Sequence, residues 1–200
     1  MMQGSGIGRV LVASLHQAIG DILPARLGFY ENWLSLEGLR DGTIGLAPLY
    51  AVLSFLRQEG DAYALVTMKA GEYAAEWTVA SMRPLTRSVI GGLPTAVRRR
   101  VLLGRAKTLV RMSYGGSRAS WRLRRGTARV DVRASIFCGV REPVAQPLCW
   151  YYASAYQRLL SLFDIPTAVT VESCRGAGAA ACILSVPFTA AEPAGQAEAA

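Results

Sequence analysis

The spacing of apolar residues predicts a series of amphipathic helices in the first half of the chain. Between Ile7 and Ile22 apolar side chains recur at helical intervals, and Pro24 ends the pattern. The less regular apolar segments that follow predict a short element over 29–36, a helix from Pro48 to about Arg57, a strand or a helix start over 63–68, a helix over 71–82, and a helix opened by Pro94.

A different pattern in the second half predicts strands. Arginines alternate with apolar residues on either side of Gly126, which is typical of the two arms of a β-hairpin. The predicted elements are the arms 119–124 and 127–133, a helix over 150–163, and a second hairpin with arms near 167–171 and 182–186. Together these elements favour an α/β fold in which an antiparallel sheet packs with helices.

Length and composition are typical of a single domain with a substantial core. The chain has 200 residues, of which 52% are hydrophobic and 18% charged. This apolar content indicates either a well-filled core or additional lining for a ligand cavity or an oligomer interface. The start of the chain shows neither a basic segment nor a cleavage site, and no apolar run is long enough to cross a bilayer, so we expect a cytoplasmic protein.

Positive charge is concentrated in one segment. Residues 83–133 contain 14 of the 22 basic residues and one acidic residue, Asp131, whereas the rest of the chain is net negative. This concentration of charge has two kinds of explanation. It could simply be a solvated face, or it could contact an anionic ligand group, an acidic partner protein or an anionic membrane surface. Nucleic acid is the least favoured partner, because aromatic residues are not interleaved with the arginines. The candidate contacts are Arg98, Arg122 and Arg124.

All the cysteines lie in the last third of the chain. Four thiols that converge favour a tetrahedral metal site, although two disulfides or buried free thiols are open alternatives. Glycines between the last two cysteines allow a tight turn that would hold one thiol on each arm of a hairpin. A reducing compartment disfavours disulfides. The candidate metal ligands are Cys138, Cys149, Cys174 and Cys182.

A catalytic constellation is not evident in the sequence. The single histidine, His16, lies far along the chain from every cysteine, and the glycines near the start do not follow a strand as a dinucleotide-binding loop requires. Glu172 could act as a general base, but it is better explained as a neighbour of the metal or a solvent-facing residue. We therefore assign no catalytic residue, and the question of an enzyme stays open with non-catalytic function favoured.

Residues 127–187 resemble the four-vinyl-reductase domain, and a weaker resemblance extends over residues 45–187. The matching residues are Ile136-Phe137-Cys138, Gln146-Pro147-Leu148-Cys149-Trp150-Tyr151, Ser154-Ala155-Tyr156, Val171-Glu172-Ser173-Cys174, Gly178 and Cys182, with Gly71-Glu72-Tyr73 and 93–98 upstream. This family binds small ligands and has a fold related to TRAPP vesicle-tethering subunits. It includes the sensor domains of aromatic-responsive activators and bacteriochlorophyll 4-vinyl reductase.

The resemblance implies a TRAPP-subunit-like fold with a zinc-stapled C-terminal subregion. The resemblance implies that the zinc ligands of the aromatic sensors are three cysteines and an acidic residue. Three of these correspond to Cys149, Cys174 and Cys182 here, and Cys138 would supply the fourth ligand. We expect an N-terminal helical segment (1–44) that belongs to the same domain or to a dimerisation element, a ligand-binding domain (45–188), and a disordered tail (189–200).

The expected function is a zinc-stabilised, non-catalytic sensor or carrier for a hydrophobic small molecule, in a homodimer. One alternative is a protein similar to bacteriochlorophyll 4-vinyl reductase, which would act on or carry a tetrapyrrole precursor of chlorophyll. Another is a scaffold similar to the TRAPP subunits. Aromatic walls suit a flat or apolar ligand. The candidate pocket residues are Tyr73, Trp77, Trp121, Phe137, Trp150, Tyr151 and Tyr156.

Overall fold

The computed structural model describes residues 6–188 and confirms a mixed α/β fold with a four-stranded antiparallel sheet packed against helices. The helices are α1 (Arg9–Ile22), α2 (Leu27–Glu31), α3 (Leu36–Asp41), α4 (Leu46–Gln58), α5 (Ala62–Ala80), α6 (Pro84–Gly92), α7 (Thr95–Ser113) and α8 (Trp150–Ser161). The strands are β1 (Arg118–Arg124), β2 (Thr127–Arg133), β3 (Thr170–Ser173) and β4 (Cys182–Pro187). Short 3₁₀ turns occur at Pro24–Arg26, Ile136–Cys138 and Arg175–Ala177.

The sheet has the strand order β1-β2-β4-β3, and every neighbouring pair is antiparallel. Arg125 and Gly126 connect β1 to β2 with φ values of 47° and 78°. Positive φ at both central residues is what a two-residue type I′ hairpin turn requires. The predicted hairpin is therefore confirmed, with β1 beginning one residue earlier than the sequence pattern indicated.

Helix α5 lies at the centre of the helical layer, between α1 and α8. Gly71 permits the close approach of α8, because a Cβ atom there would lie 2.2 Å from Ser154 Oγ and from the Tyr151 carbonyl oxygen. Ser154 Oγ also donates to the Met68 carbonyl oxygen at 2.7 Å. Buried side chains from α1 through β4 form one continuous hydrophobic core, which holds helices and sheet together.

Two of the predicted elements differ in the structure, and one further helix is present. The strand alternative for 63–68 is wrong, because these residues form the start of α5, where Thr67 Oγ1 donates to the Tyr63 carbonyl oxygen. The element predicted over 29–36 is divided between α2 and α3, and Ser35 begins α3 by accepting from Gly38 N–H. Helix α6 was not predicted.

No helix within residues 6–188 is both long and apolar enough to span a bilayer. The tail prediction, 189–200, falls outside the described residues, and the division into 1–44 and 45–188 stays a prediction.

Candidate metal centre and neighbouring grooves

The four cysteines converge as the sequence predicted. Their sulfur atoms all lie within 4.8 Å of one another. Cys138 ends a 3₁₀ turn, Cys149 precedes α8, Cys174 follows β3, and Cys182 begins β4. The cluster therefore joins four separate segments between residues 138 and 182.

The distances between the sulfur atoms suit a tetrahedral metal ion. The Cys138 sulfur lies 3.2 Å from that of Cys149, 3.4 Å from that of Cys174 and 3.5 Å from that of Cys182. A tetrahedron with zinc–sulfur bonds of about 2.3 Å has edges of about 3.8 Å, so small shifts would complete it. All four cysteines are free in this structure, and their convergence on one point suits a single metal ion better than two separate disulfides. Three are buried and Cys138 is partly exposed.

Main-chain donors favour the thiolate forms that a metal requires. Leu148 N–H donates to the Cys174 sulfur at 3.2 Å, and Arg175 N–H donates to the Cys182 sulfur at 3.4 Å. Hydrogen bonds from the Cys138 and Cys149 thiols, reinforced by Leu148 N–H, hold the pKa of Cys174 well below its usual range, whereas hydrogen bonds with the Cys138 thiol raise the pKa of Cys149 and Cys182. A metal ion would have to displace the protons of those two thiols. The cluster thus has both the ligand type and the surroundings of a thiolate metal site.

Residues of α4 and α5 that were not predicted from the sequence lie behind the cysteines. Tyr63 Oη on α5 donates to the Leu148 carbonyl oxygen at 3.0 Å, so that α5 supports the segment that donates to Cys174. Burial raises the pKa of Tyr63, while the nearby Arg57 guanidinium lowers it. Arg57 also has a buried nitrogen, Nη1, without a hydrogen-bond partner within residues 6–188. No spacing in the sequence connects these α4 and α5 residues with the cysteines.

Four sulfur ligands would close the coordination sphere of a tetrahedral ion. Such a site holds segments together but leaves no position for an activated water. The other candidate groups are engaged elsewhere: His16 Nε2 lies 3.1 Å from Glu31 Oε1, and Glu172 forms an ion pair with Arg129. If these four cysteines hold a metal ion, the arrangement suits a structural role better than a catalytic one.

The seven predicted pocket residues lie in different surroundings, and their role in a pocket stays a prediction. Phe137 and Tyr151 are fully buried and stack with ring centroids 5.0 Å apart. Tyr152, which the sequence analysis missed, packs edge-on against both rings. Tyr73 and Trp77 instead stack on each other along the partly exposed side of α5.

The remaining three pocket candidates are also dispersed. Trp121 borders a groove on the sheet, and Trp150 is half-buried at the start of α8. Tyr156 is buried in α8, and its hydroxyl has no hydrogen-bond partner among the described residues. Burial alone raises the pKa of Tyr156 well above its usual value. Trp150 Nε1 is likewise buried without a partner among the described residues, so a ligand could complete either of these two polar groups of the predicted pocket.

Two open grooves lie away from the buried aromatic residues. A groove of about 460 Å³ on the exposed sheet face includes Arg122 and Arg124 in its lining. Arg98, the third predicted anion contact, is not in that lining and donates to the Gly91 carbonyl oxygen at 2.9 Å. A second groove, of about 300 Å³, is lined by residues of α5, α6, α7 and the α5–α6 turn, including Met82 of the turn and Leu109 and Met112 of α7.

Comparison of this chain with known proteins finds similarity only among solved structures. No family model matches the chain, and no curated protein matches it. Among solved structures, the chain is similar to the crystal structure of the phenol-responsive sensory domain of the transcription activator PoxR with phenol. The TM-score is 0.47 and the sequence identity 16%, over 71% of this chain and 75% of that chain. The resemblance to the four-vinyl-reductase family accordingly stays a prediction.

Proposed function

We propose that this chain is a zinc-stabilised, non-catalytic binding domain for a hydrophobic small molecule, acting as a sensor or carrier. The observation that carries the zinc assignment is the cluster of Cys138, Cys149, Cys174 and Cys182, whose sulfur atoms lie within 4.8 Å of one another. Zinc is the metal most often held by four thiolates in a structural site. Its ligand set would be complete without any residue from outside the chain.

Zinc would contribute folding free energy rather than chemistry. Structural zinc sites bind with apparent free energies of about 10–16 kcal/mol at neutral pH, and this binding favours the folded state. Here the ion would fix the start of α8 against the end of β3 and the start of β4. Phe137, which precedes Cys138, stacks on Tyr151, which lies two residues after Cys149. The metal and the proposed ligand site are thus neighbours in the fold.

The ligand class follows from the aromatic layer and from the unpaired Tyr156 hydroxyl. Leaving a buried hydroxyl without a partner costs about 1–3 kcal/mol, and a ligand with one polar atom would remove that cost. Aromatic side chains suit a flat or apolar body. An apolar molecule with one hydrogen-bonding group therefore suits the site. The predicted homodimer is retained as part of this proposal.

The metal assignment is tested by elemental analysis of freshly purified, reduced protein. We expect one zinc ion per chain, and its loss with destabilisation in Cys174→Ser and Cys182→Ser. Ser173→Ala is a matched control at the same hairpin, because it removes only the hydrogen bond to the Ala181 carbonyl oxygen, worth about 1 kcal/mol. Absence of stoichiometric metal in the wild-type protein would contradict the assignment.

The ligand assignment is tested by native mass spectrometry, an absorption spectrum, and a thermal-shift screen of small apolar compounds. A co-purifying visible pigment would favour the tetrapyrrole alternative. Binding that weakens in Met112→Lys but not in Tyr156→Phe would place the ligand in the groove between α5, α6 and α7 instead. Because Met112 is exposed, its substitution should leave the fold intact.

A further inference from the structure

Five arginines share the exposed face of the sheet. In the β1–β2 register, Arg118 lies directly opposite Arg133, and Arg122 lies directly opposite Arg129. Arg124 continues the same face at the end of β1. Like charges directly opposite each other on neighbouring strands destabilise a sheet. The β1–β2 hairpin has two such pairs along strands of seven residues each, and the fold itself does not require them.

Only part of this charge is neutralised within the protein. Asp131 accepts from Arg133 at 3.0 Å, and Glu172 accepts from Arg129 at 2.9 Å. Arg118 donates to the Gly115 and Ser117 carbonyl oxygens. By contrast, the Arg122 and Arg124 guanidinium groups have no acceptor among residues 6–188. We call the concavity that they border the sheet groove.

The sheet groove has the size and composition of a small-ligand site. Its volume is about 460 Å³, within the range of about 300–1,000 Å³ common for such sites. Four arginines and two carboxylates line it, which leaves an excess of two positive charges, and two hydroxyl side chains are nearby. The polar residues of the lining are Ser120, Arg122, Arg124, Thr127, Arg129, Asp131, Arg133 and Glu172.

We propose that the sheet groove binds a small polyanion with at least two phosphate or carboxylate groups, held chiefly by Arg122 and Arg124. Guanidinium groups bind both kinds of oxyanion through paired N–H donors. An anion between Arg122 and Arg129 would also relieve their mutual repulsion. The concave shape favours a compact ligand over a flat membrane surface, and the lining lacks the row of aromatic rings that single-stranded nucleic acid uses.

This site is separate from the one in the proposed function. Phe137, Tyr151 and Tyr156 are buried in the core and do not line the sheet groove. Binding of a polyanion and binding of an apolar molecule can therefore succeed or fail independently, and each has its own variants.

The test uses isothermal titration of the full chain with inorganic tripolyphosphate and with citrate at fixed ionic strength. We expect saturable binding of at least one of them, and the preferred anion distinguishes a phosphate ligand from a carboxylate ligand. The double variant Arg122→Gln/Arg124→Gln should weaken binding by about tenfold or more, because each lost charge-assisted contact is worth roughly tenfold. Its unliganded melting temperature should be unchanged or raised, since it removes repulsion.

The matched control is Lys107→Gln/Arg111→Gln, which removes the same charge from exposed positions of α7 outside the groove. We expect this control to bind like the wild type. Equal weakening in both double variants would show a general effect of net charge and would overturn the proposal. The proposal is also overturned if neither anion binds saturably, or if binding is detected only to vesicles of anionic lipid or to nucleic acid.

Discussion

Main-chain donors link one cysteine to the next. Leu148, beside Cys149, donates its N–H to Cys174, and Arg175, beside Cys174, donates its N–H to Cys182. These donors depend on backbone direction and not on side-chain type, so the sequence could reveal the four ligands but not the hydrogen bonds that support them. The same holds for Tyr63, which contacts this layer through a carbonyl oxygen 85 positions away.

The unpaired hydroxyl of Tyr156 leads to a prediction for a single residue. Tyr156→Phe should leave the unliganded protein equally stable, or more stable by about 1 kcal/mol, because it removes a buried hydroxyl that has no partner. Affinity for the apolar ligand should fall, because the ligand loses its polar contact. Thermal or urea unfolding, together with ligand titration, measures both effects.

Tyr151→Phe is the control for that experiment. Its hydroxyl lies 3.2 Å from Ser113 Oγ, so its removal should destabilise the protein by about 0.5–1.5 kcal/mol. If Tyr156→Phe is the more destabilising of the two, the Tyr156 hydroxyl has a partner and the argument for a ligand there is lost.

The elements differ in how far their sequences predicted them. The β1–β2 hairpin was predicted to within one residue, because strict alternation and a glycine turn agree. Helix α6 was missed because it has nine residues, and Leu85 and Val89 on it are 81% and 65% exposed. Apolar side chains that face solvent do not produce the burial pattern from which a helix is inferred. The start of α5 was ambiguous because it is apolar on most sides.

The close contact between α5 and α8 leads to a prediction for these elements. Gly71→Ala should destabilise the protein by about 1–3 kcal/mol or more, because the new Cβ would meet Ser154 Oγ and the Tyr151 carbonyl oxygen at 2.2 Å and force the helices apart. Chemical denaturation measures the change in the free energy of unfolding.

Gly104→Ala in α7 is the matched control. A Cβ at Gly104 would have no atom within 4 Å, so the substitution should stabilise the helix by about 0.5–1 kcal/mol through propensity alone. If the two variants have similar stabilities, the α5–α8 contact is looser than the structure indicates.

At the scale of the whole molecule, the sequence indicated the convergence of the cysteines better than the location of a ligand pocket. Cysteines restricted to the last third of the chain have few structural explanations, and their convergence was predicted correctly. Aromatic residues occupy cores and pockets alike, so the seven candidates could not be separated before the fold was known. The structure buries Phe137, Tyr151 and Tyr156, whereas Trp77 stays partly exposed.

The arrangement of the cysteines also predicts how the whole molecule responds to metal removal. A strong chelator should lower the melting temperature and increase amide hydrogen exchange first in β3, β4 and the beginning of α8, because the four ligands join these segments. Helices α1 and α5, which pack in the helical layer away from the cysteines along the chain, should keep their protection longer.

Acid should have the same regional effect as the chelator. Zinc requires deprotonated thiols, so affinity should fall as the pH decreases and protons compete for the four sulfurs. The stability that the metal contributes is therefore present at neutral pH and lost towards acid pH. Zinc release, followed with a colorimetric indicator, should occur at the same pH as the increase in amide hydrogen exchange in β3 and β4. Cys174→Ser, already deprived of its site, should show little further response to chelator. Uniform loss of protection across α1, α5 and the sheet would contradict a role for the metal confined to the segments that it joins.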